Sequence, residues 1–119
     1  MINRRLPTTV LARSFTAGRR EQASKHCAAE VLWLNAALHG DELNGTEIIR
    51  RVLKHPSLKR LRGALLAVPI VNVYGLLHHS RYLPDRRDLN RCFPGKEAGS
   101  MAARLAHIFL SEIVSRSDI

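Results

Sequence analysis

Two unbroken apolar runs constrain this chain more than any other feature: V-L-W-L-N-A-A-L, Val31 to Leu38, and A-L-L-A-V-P-I-V-N, Ala64 to Asn72. Each is too short for a good helix and lacks polar alternation, so each reads as a strand buried on both faces. Between them, from Thr46 to about His55, Ile48, Ile49, Val52 and Leu53 share one helical face and Glu47, Arg50, Arg51 and Lys54 the other, until Pro56 ends the helix. Strand, helix, strand is the β-α-β pattern. It predicts an α/β fold with Val31 to Leu38 and Ala64 to Val71 as neighbouring strands of a parallel or mixed sheet covered by helices. A short strand around Thr8 to Ala12 precedes them. Ser100 reads as the N-cap of a helix running to about Ser115, with Leu105, Ile108, Phe109 and Ile113 along one face. From Val73 to Gly99 the chain is polar, rich in Arg, Asp, Pro and Gly, and nearly aperiodic; so long a loop in so small a domain is either functional or disordered.

The 119 residues suffice for one small domain with a modest core. No apolar run approaches the roughly 20 residues of a membrane helix, and the basic N-terminus has no apolar stretch behind it, so neither a membrane span nor a signal peptide is expected. Two cysteines, Cys27 and Cys92, are too few for a disulfide framework and fit a reducing cytosol, which makes the expected location cytoplasmic. A net charge of +9 raises nucleic-acid binding, but the arginines and lysines are scattered, aromatic residues are only 5%, and no nucleic-acid-binding pattern is present. The charge is read as solvated surface or as a surface for an acidic partner segment, with no nucleic-acid partner.

Chemistry concentrates in two places. H-G-D-E-L-N-G, His39 to Gly45, begins where the first apolar run ends. In open α/β sheets functional groups gather beyond the carboxyl ends of strands, and an imidazole and a carboxylate three residues apart can meet one metal ion from a single turn. On its own the pair is a weak signal and reads first as a turn histidine and a helix-leading glutamate interacting with the helix N-terminus. The second place is S-R-Y-L-P-D-R-R-D-L-N-R-C-F-P-G, Ser80 to Gly95. Arg81, Asn90 and Arg91 are candidates for gripping carboxylates, because a guanidinium fork matches carboxylate geometry, and Asp85 and Asp88 are candidates for orienting those arginines. His78 and His79 form a loop pair that reads as solvated, and Trp33 reads as core.

Taken together, an apolar strand running into H-G-D-E-L-N-G-x-E, an apolar strand ending V-x-N, and then R-Y-L-P-D-x-R-D-L-N-R-x-F-P-G resembles the succinylglutamate desuccinylase/aspartoacylase family over about Val31 to Val114. The resemblance implies the N-terminal part of a zinc carboxypeptidase-like fold, with a mixed, largely parallel sheet flanked by helices, and a zinc-dependent amidohydrolase that cleaves an N-acyl amide with zinc-activated water. It implies that His39 and Glu42 are the first two ligands of one zinc ion. Arg81 then polarises the scissile carbonyl, and Asn90 and Arg91 hold a carboxylate on a small-molecule or peptide-end substrate. Asp88 is a structural orienter in the same D-L-N-R element. Val73 departs from the proline that many members carry after the asparagine.

The larger departure is at the end of the chain. The family's third zinc ligand, a histidine at a strand end after the last helix, and its downstream catalytic glutamate have no counterpart before Ile119. Residues 1–119 are accordingly expected to be the N-terminal portion of a longer catalytic domain, inactive by itself. The alternative is a catalytically inactive fragment serving as a binding or assembly module, whose open sheet edge invites a homo-oligomer.

Overall fold

The computed structural model of the chain describes residues 11–13 and 30–118. Strand β2, Val31–Asn35, and strand β3, Ala64–Val68, pair in parallel, Val31 opposite Ala64 and Asn35 opposite Val68. Strand β1, Leu11–Arg13, pairs antiparallel with the other side of β3, so the order is β1-β3-β2 and the sheet is mixed. Leu11 and Ala12 thus fall on a strand as expected, while Thr8 to Val10 lie outside the described residues. Helix α1, Asn44–Lys54, connects the parallel pair and begins two residues earlier than its apolar periodicity suggested.

Both parallel strands are shorter than the apolar runs that contain them. Beyond their ends the two segments stay paired, but irregularly: Ala36 N–H donates to Val68 O (3.0 Å), Val71 N–H to Ala36 O (3.0 Å) and Asn72 N–H to Ala37 O (2.9 Å). Ala37 has φ +49°, in the left-handed region, which takes the chain out of the extended conformation while leaving it buried. Residues 36–38 and 69–72 therefore form a buried, apolar turn layer at the carboxyl end of the sheet.

The strands' alternation divides the core between the two faces. On one, Ile49 and Leu53 of α1 pack against Leu34, Ala36 and Ala67. On the other lies helix α3, Met101–Glu112, with the Ser100 hydroxyl accepting from Ala103 N–H (3.2 Å) as its N-cap and a 3₁₀ turn, Val114–Arg116, after it. Its buried stripe is Ala102, Ala106, Phe109 and then Ile113, set against Val68, Leu83 and Leu89; Trp33 and Phe93 both meet the Phe109 ring edge-on (centroids 5.6 and 6.1 Å apart). Two expected core positions differ. Ile48 and Ile108 are 60% and 44% exposed, because their neighbours Ile49 and Phe109 take the inward direction and adjacent helical residues point about 100° apart.

The long polar passage is ordered. It contains helix α2, Val73–Leu77, and a 3₁₀ turn, Leu89–Arg91, and it is anchored by Leu83 and Leu89, both buried. Asp85 does not orient an arginine side chain; its carboxylate accepts from Ala102 N–H (3.0 Å) and Arg87 N–H (3.3 Å), tying the loop to the start of α3. Past the last turn, Asp118 N–H donates to Val31 O and its carboxylate accepts from Val31 N–H, both at 2.8 Å. Among the described residues no helix is long and apolar enough to cross a membrane.

Candidate metal centre

The turn layer at the carboxyl end of the β2–β3 pair presents His39. Gly40 follows it because no larger residue fits: a Cβ there would lie 1.8 Å from Gly75 C and 2.2 Å from Gly75 O and Leu76 N, all backbone atoms of α2. The packing fixes the turn, and Gly40 N–H donates to Ser80 O (2.9 Å). His39 is 5% exposed, and both ring nitrogens meet carboxylates: Nδ1 lies 2.9 Å from Glu42 Oε1, and Nε2 lies 2.9 Å from Asp88 Oδ1.

Asp88 organises the centre. Its Oδ1 also accepts from Asn90 N–H (2.9 Å), which caps the 3₁₀ turn, and its Oδ2 accepts from Arg81 Nε (3.1 Å) and lies 3.0 Å from Arg81 Nη2. Arg81 Nη1 stands 3.7 Å from Glu42 Oε1. His39, Glu42, Arg81 and Asp88 thus form one cluster of alternating charge. Burial works against charge on the His39 ring, but its hydrogen bonds to the Glu42 and Asp88 carboxylates outweigh it and raise its pKa above the ordinary 6.5. Burial likewise opposes ionisation of Asp88, and the His39, Asn90 and Arg81 contacts outweigh it, leaving its pKa below the ordinary range. Either ring nitrogen can donate to the carboxylate it faces, and the tautomer of His39 sets which one does.

The donors suit zinc. Imidazole nitrogen and carboxylate oxygen are zinc's usual borderline ligands. A carboxylate on the far ring nitrogen is the support that keeps such an imidazole oriented and basic. Among the described residues, however, no group of three His, Cys, Asp or Glu side chains is placed to hold one ion. His39 and Glu42 are the convergent pair; the Asp88 carboxylate is on the opposite ring nitrogen.

Asn90 and Arg91 stand apart from this cluster. Both side chains are exposed and neither makes a hydrogen bond or ion pair among the described residues. Arg91 lines an open depression of about 490 Å³ together with Arg87, Phe93, Lys96 and the N-terminal residues of α3. His78 and His79 are exposed beside α2. What residue-by-residue reading missed is the bond between Asp88 and His39, across 49 positions, and the contact of Gly40 with Gly75. The only local trace of the latter is the glycine directly after the histidine.

Fold and site together define an α/β domain with a buried imidazole–carboxylate centre beyond the carboxyl ends of parallel strands. The chain belongs to the succinylglutamate desuccinylase/aspartoacylase family, whose catalytic domain its residues 28–119 match. Its relatives are deacylating hydrolases. It is 30% identical over 87 residues to an N-alpha-acetyl-L-2,4-diaminobutyric acid deacetylase of Halomonas elongata, a match covering 72% of this chain and 25% of the relative. The crystal structure of a succinylglutamate desuccinylase/aspartoacylase from Rhodobacter sphaeroides superposes with a TM-score of 0.70 at 32% identity, covering 77% of this chain and 28% of the other. The product-bound ectoine utilization protein EutE (DoeB) from Ruegeria pomeroyi gives 0.68 at 32% identity, over 76% and 28%. The chain therefore spans about a quarter of the length of the relatives it matches.

Proposed function

We propose that this domain forms part of a zinc-dependent amidohydrolase that removes an acyl group from the nitrogen of a carboxylate-bearing substrate. The observation that carries the proposal is the buried His39 ring, with Nδ1 on Glu42 and Nε2 braced by Asp88. His39 and Glu42 would hold the ion, with Asp88 keeping the imidazole in place. A zinc ion there supplies Lewis acidity and makes water nucleophilic near neutral pH. Holding it would require His39 to present an unprotonated ring nitrogen, so binding should strengthen as pH rises.

Arg81 is the group that meets the reacting carbonyl. Asp88 holds one edge of its guanidinium, and the side chain is 40% exposed, which leaves its remaining N–H groups free to donate to an oxygen as negative charge grows on it. Asn90 and Arg91, free of other partners and held just beyond Asp88, grip the substrate carboxylate. The deacetylase and desuccinylase names among the relatives favour an N-acylated amino acid. With only two convergent donors among its described residues, the 119-residue chain by itself is proposed to have negligible turnover.

The test is zinc competition against a chelating dye, with wild type, His39→Ala and Glu42→Ala. Each substitution should weaken zinc binding by at least about tenfold, in line with the effect of losing even supporting groups at metal sites. Equal affinity in wild type and His39→Ala would sink the proposal.

A further inference from the structure

We propose that Asn72 is a positioning residue for this centre: its buried side-chain oxygen closes a ring of hydrogen bonds that sets the separation of His39 and Arg81. The ring runs through two segments. Asn72 N–H donates to Ala37 O (2.9 Å), Asn72 Oδ1 accepts from Gly75 N–H (2.8 Å), Ser80 N–H donates to Gly75 O (2.8 Å), and Gly40 N–H donates to Ser80 O (2.9 Å). The peptide from Ala37 to Gly40 closes it. His39 lies inside that last arc, and Arg81 is the residue after Ser80. Both chemically active side chains therefore project from positions adjoining the Gly40–Ser80 bond.

Every link is backbone to backbone except the one at Asn72 Oδ1. That makes Asn72 the member a side-chain substitution can cut without moving the chain. The residue is fully buried, and its Nδ2 has no hydrogen-bond partner among the described residues. A buried unpaired donor costs stability, so an apolar residue of similar size would relieve one penalty while opening the ring. The interior has no slack to replace the lost bond: a Cβ at Gly75 would already lie 2.6 Å from both Asn72 Nδ2 and Ser80 O. Without the Oδ1 link, Gly75 N–H loses its acceptor and α2 its side-chain cap, leaving the Leu76 N–H bond to Asn72 O (3.0 Å) to hold the start of α2, so the surface against which Gly40 is pressed is held less tightly.

The inference rests on the metal-site reading for its consequence, but the ring itself can be read without metal. Amide hydrogen exchange is followed at Gly40 and at Ala64, whose N–H bonds Glu30 O (2.9 Å) at the far end of the sheet, and zinc affinity is measured by dye competition. In Asn72→Leu, Gly40 should exchange about tenfold faster or more while Ala64 keeps its protection, the signature of local opening. Zinc affinity should fall about 10- to 100-fold, the range for lost supporting contacts. Asn72→Ser, whose hydroxyl can cap the same N–H, should restore both. Unchanged Gly40 exchange in Asn72→Leu overturns the proposal, as does equal acceleration at Gly40 and Ala64, or failure of Asn72→Ser to rescue. Outright unfolding of Asn72→Leu and of Asn72→Ala would also overturn it, by making the residue a determinant of the whole fold. Were His39→Ala to bind zinc like wild type, the metal reading would fall, and Gly40 exchange would still decide the positioning role.

Discussion

Gly40→Ala is the substitution in which the fold and the site are tested by one methyl group. Its Cβ would sit 1.8 Å from Gly75 C and 2.2 Å from Gly75 O and Leu76 N. Overpacking a core typically costs about 1–3 kcal/mol when side chains can shift rotamers. Here every obstructing atom is backbone, so the strain must be relieved by moving the His39 turn away from α2, and the cost belongs at about 3 kcal/mol or above. At about 4 °C or more per kcal/mol for a domain of this size, that lowers the melting temperature by roughly 12 °C. Gly45→Ala is the graded comparison. Its Cβ would lie 2.8 Å from the Cβ of buried Ala36 and 3.7 Å from Ala36 Cα, so α1 must shift outward, but less than the Gly40 turn, and alanine within a helix recovers about 1 kcal/mol of propensity over glycine. Thermal unfolding by circular dichroism, paired with zinc competition, should show Gly40→Ala both destabilised and weakened for metal, and Gly45→Ala destabilised less than Gly40→Ala. A Gly40→Ala protein melting within about 3 °C of wild type would refute the close approach of turn and helix and with it the account of how His39 is placed.

The existence, type and order of the main elements were legible in the sequence because each strand lies in a short run that is almost wholly apolar. Burial on both faces does not hold for β2: none of its residues is fully buried and Leu32 is exposed, since among the described residues only β3 is flanked by strands on both sides. The ends of the elements were not legible. Residues 36–38 and 69–71 remain apolar because the turn layer is itself buried, and hydropathy reports burial rather than backbone angle. Ala37 takes a left-handed conformation without being glycine or asparagine, so no residue type announces the bend. Helical periodicity identified the right faces of α1 and α3 but not their centres: it admitted Ile48 and Ile108, and gave no weight to Ala102 and Ala106, whose small size lets the helix approach Leu89. At the site, the juxtaposition of His39 and Glu42 follows from their spacing in one turn. The link from His39 to Asp88 is tertiary, and local spacing carries no information about it. The sequence pairs Asp88 with the arginines, and it does hold Arg81, but through the carboxylate whose other oxygen fixes the histidine. The two roles are one, because a carboxylate with two oxygens can orient a ligand and a guanidinium at once. Asn72 was visible as the end of V-x-N, yet its part depends on where Gly75 and Ser80 lie in space.

Leu89→Ala removes a fully buried side chain between Val68 and α3 and should cost about 2–5 kcal/mol, read as a lower urea midpoint with an unchanged slope; a loss under about 1 kcal/mol would mean the loop is not anchored there. Glu47, held by Arg50 and Arg51, has its pKa lowered from 4.5 to about 2, so its contribution is present above about pH 4.5 and lost as pH falls toward about 2. Glu47→Gln should thus melt slightly below wild type at neutral pH, with the gap closing across that acidic window; a gap that widens there would contradict the pairing. The last contrast, made in an active enzyme containing this domain, separates the two arginines. Arg91→Lys keeps the charge but loses the planar fork. A hydrogen bond to a charged group contributes about 1.5–3 kcal/mol, and about 1.4 kcal/mol is tenfold, so catalytic efficiency should fall about one to two orders of magnitude, mostly through a higher KM. Arg81→Lys breaks the edge-on contact with Asp88 and loses donors aimed at charge that develops only during reaction, so the same size of loss should appear in kcat. Steady-state kinetics on an N-acyl amino acid decide between them: identical defects in the two variants, or a wild-type Arg91→Lys, would show that the carbonyl and the carboxylate are not held by the residues assigned to them.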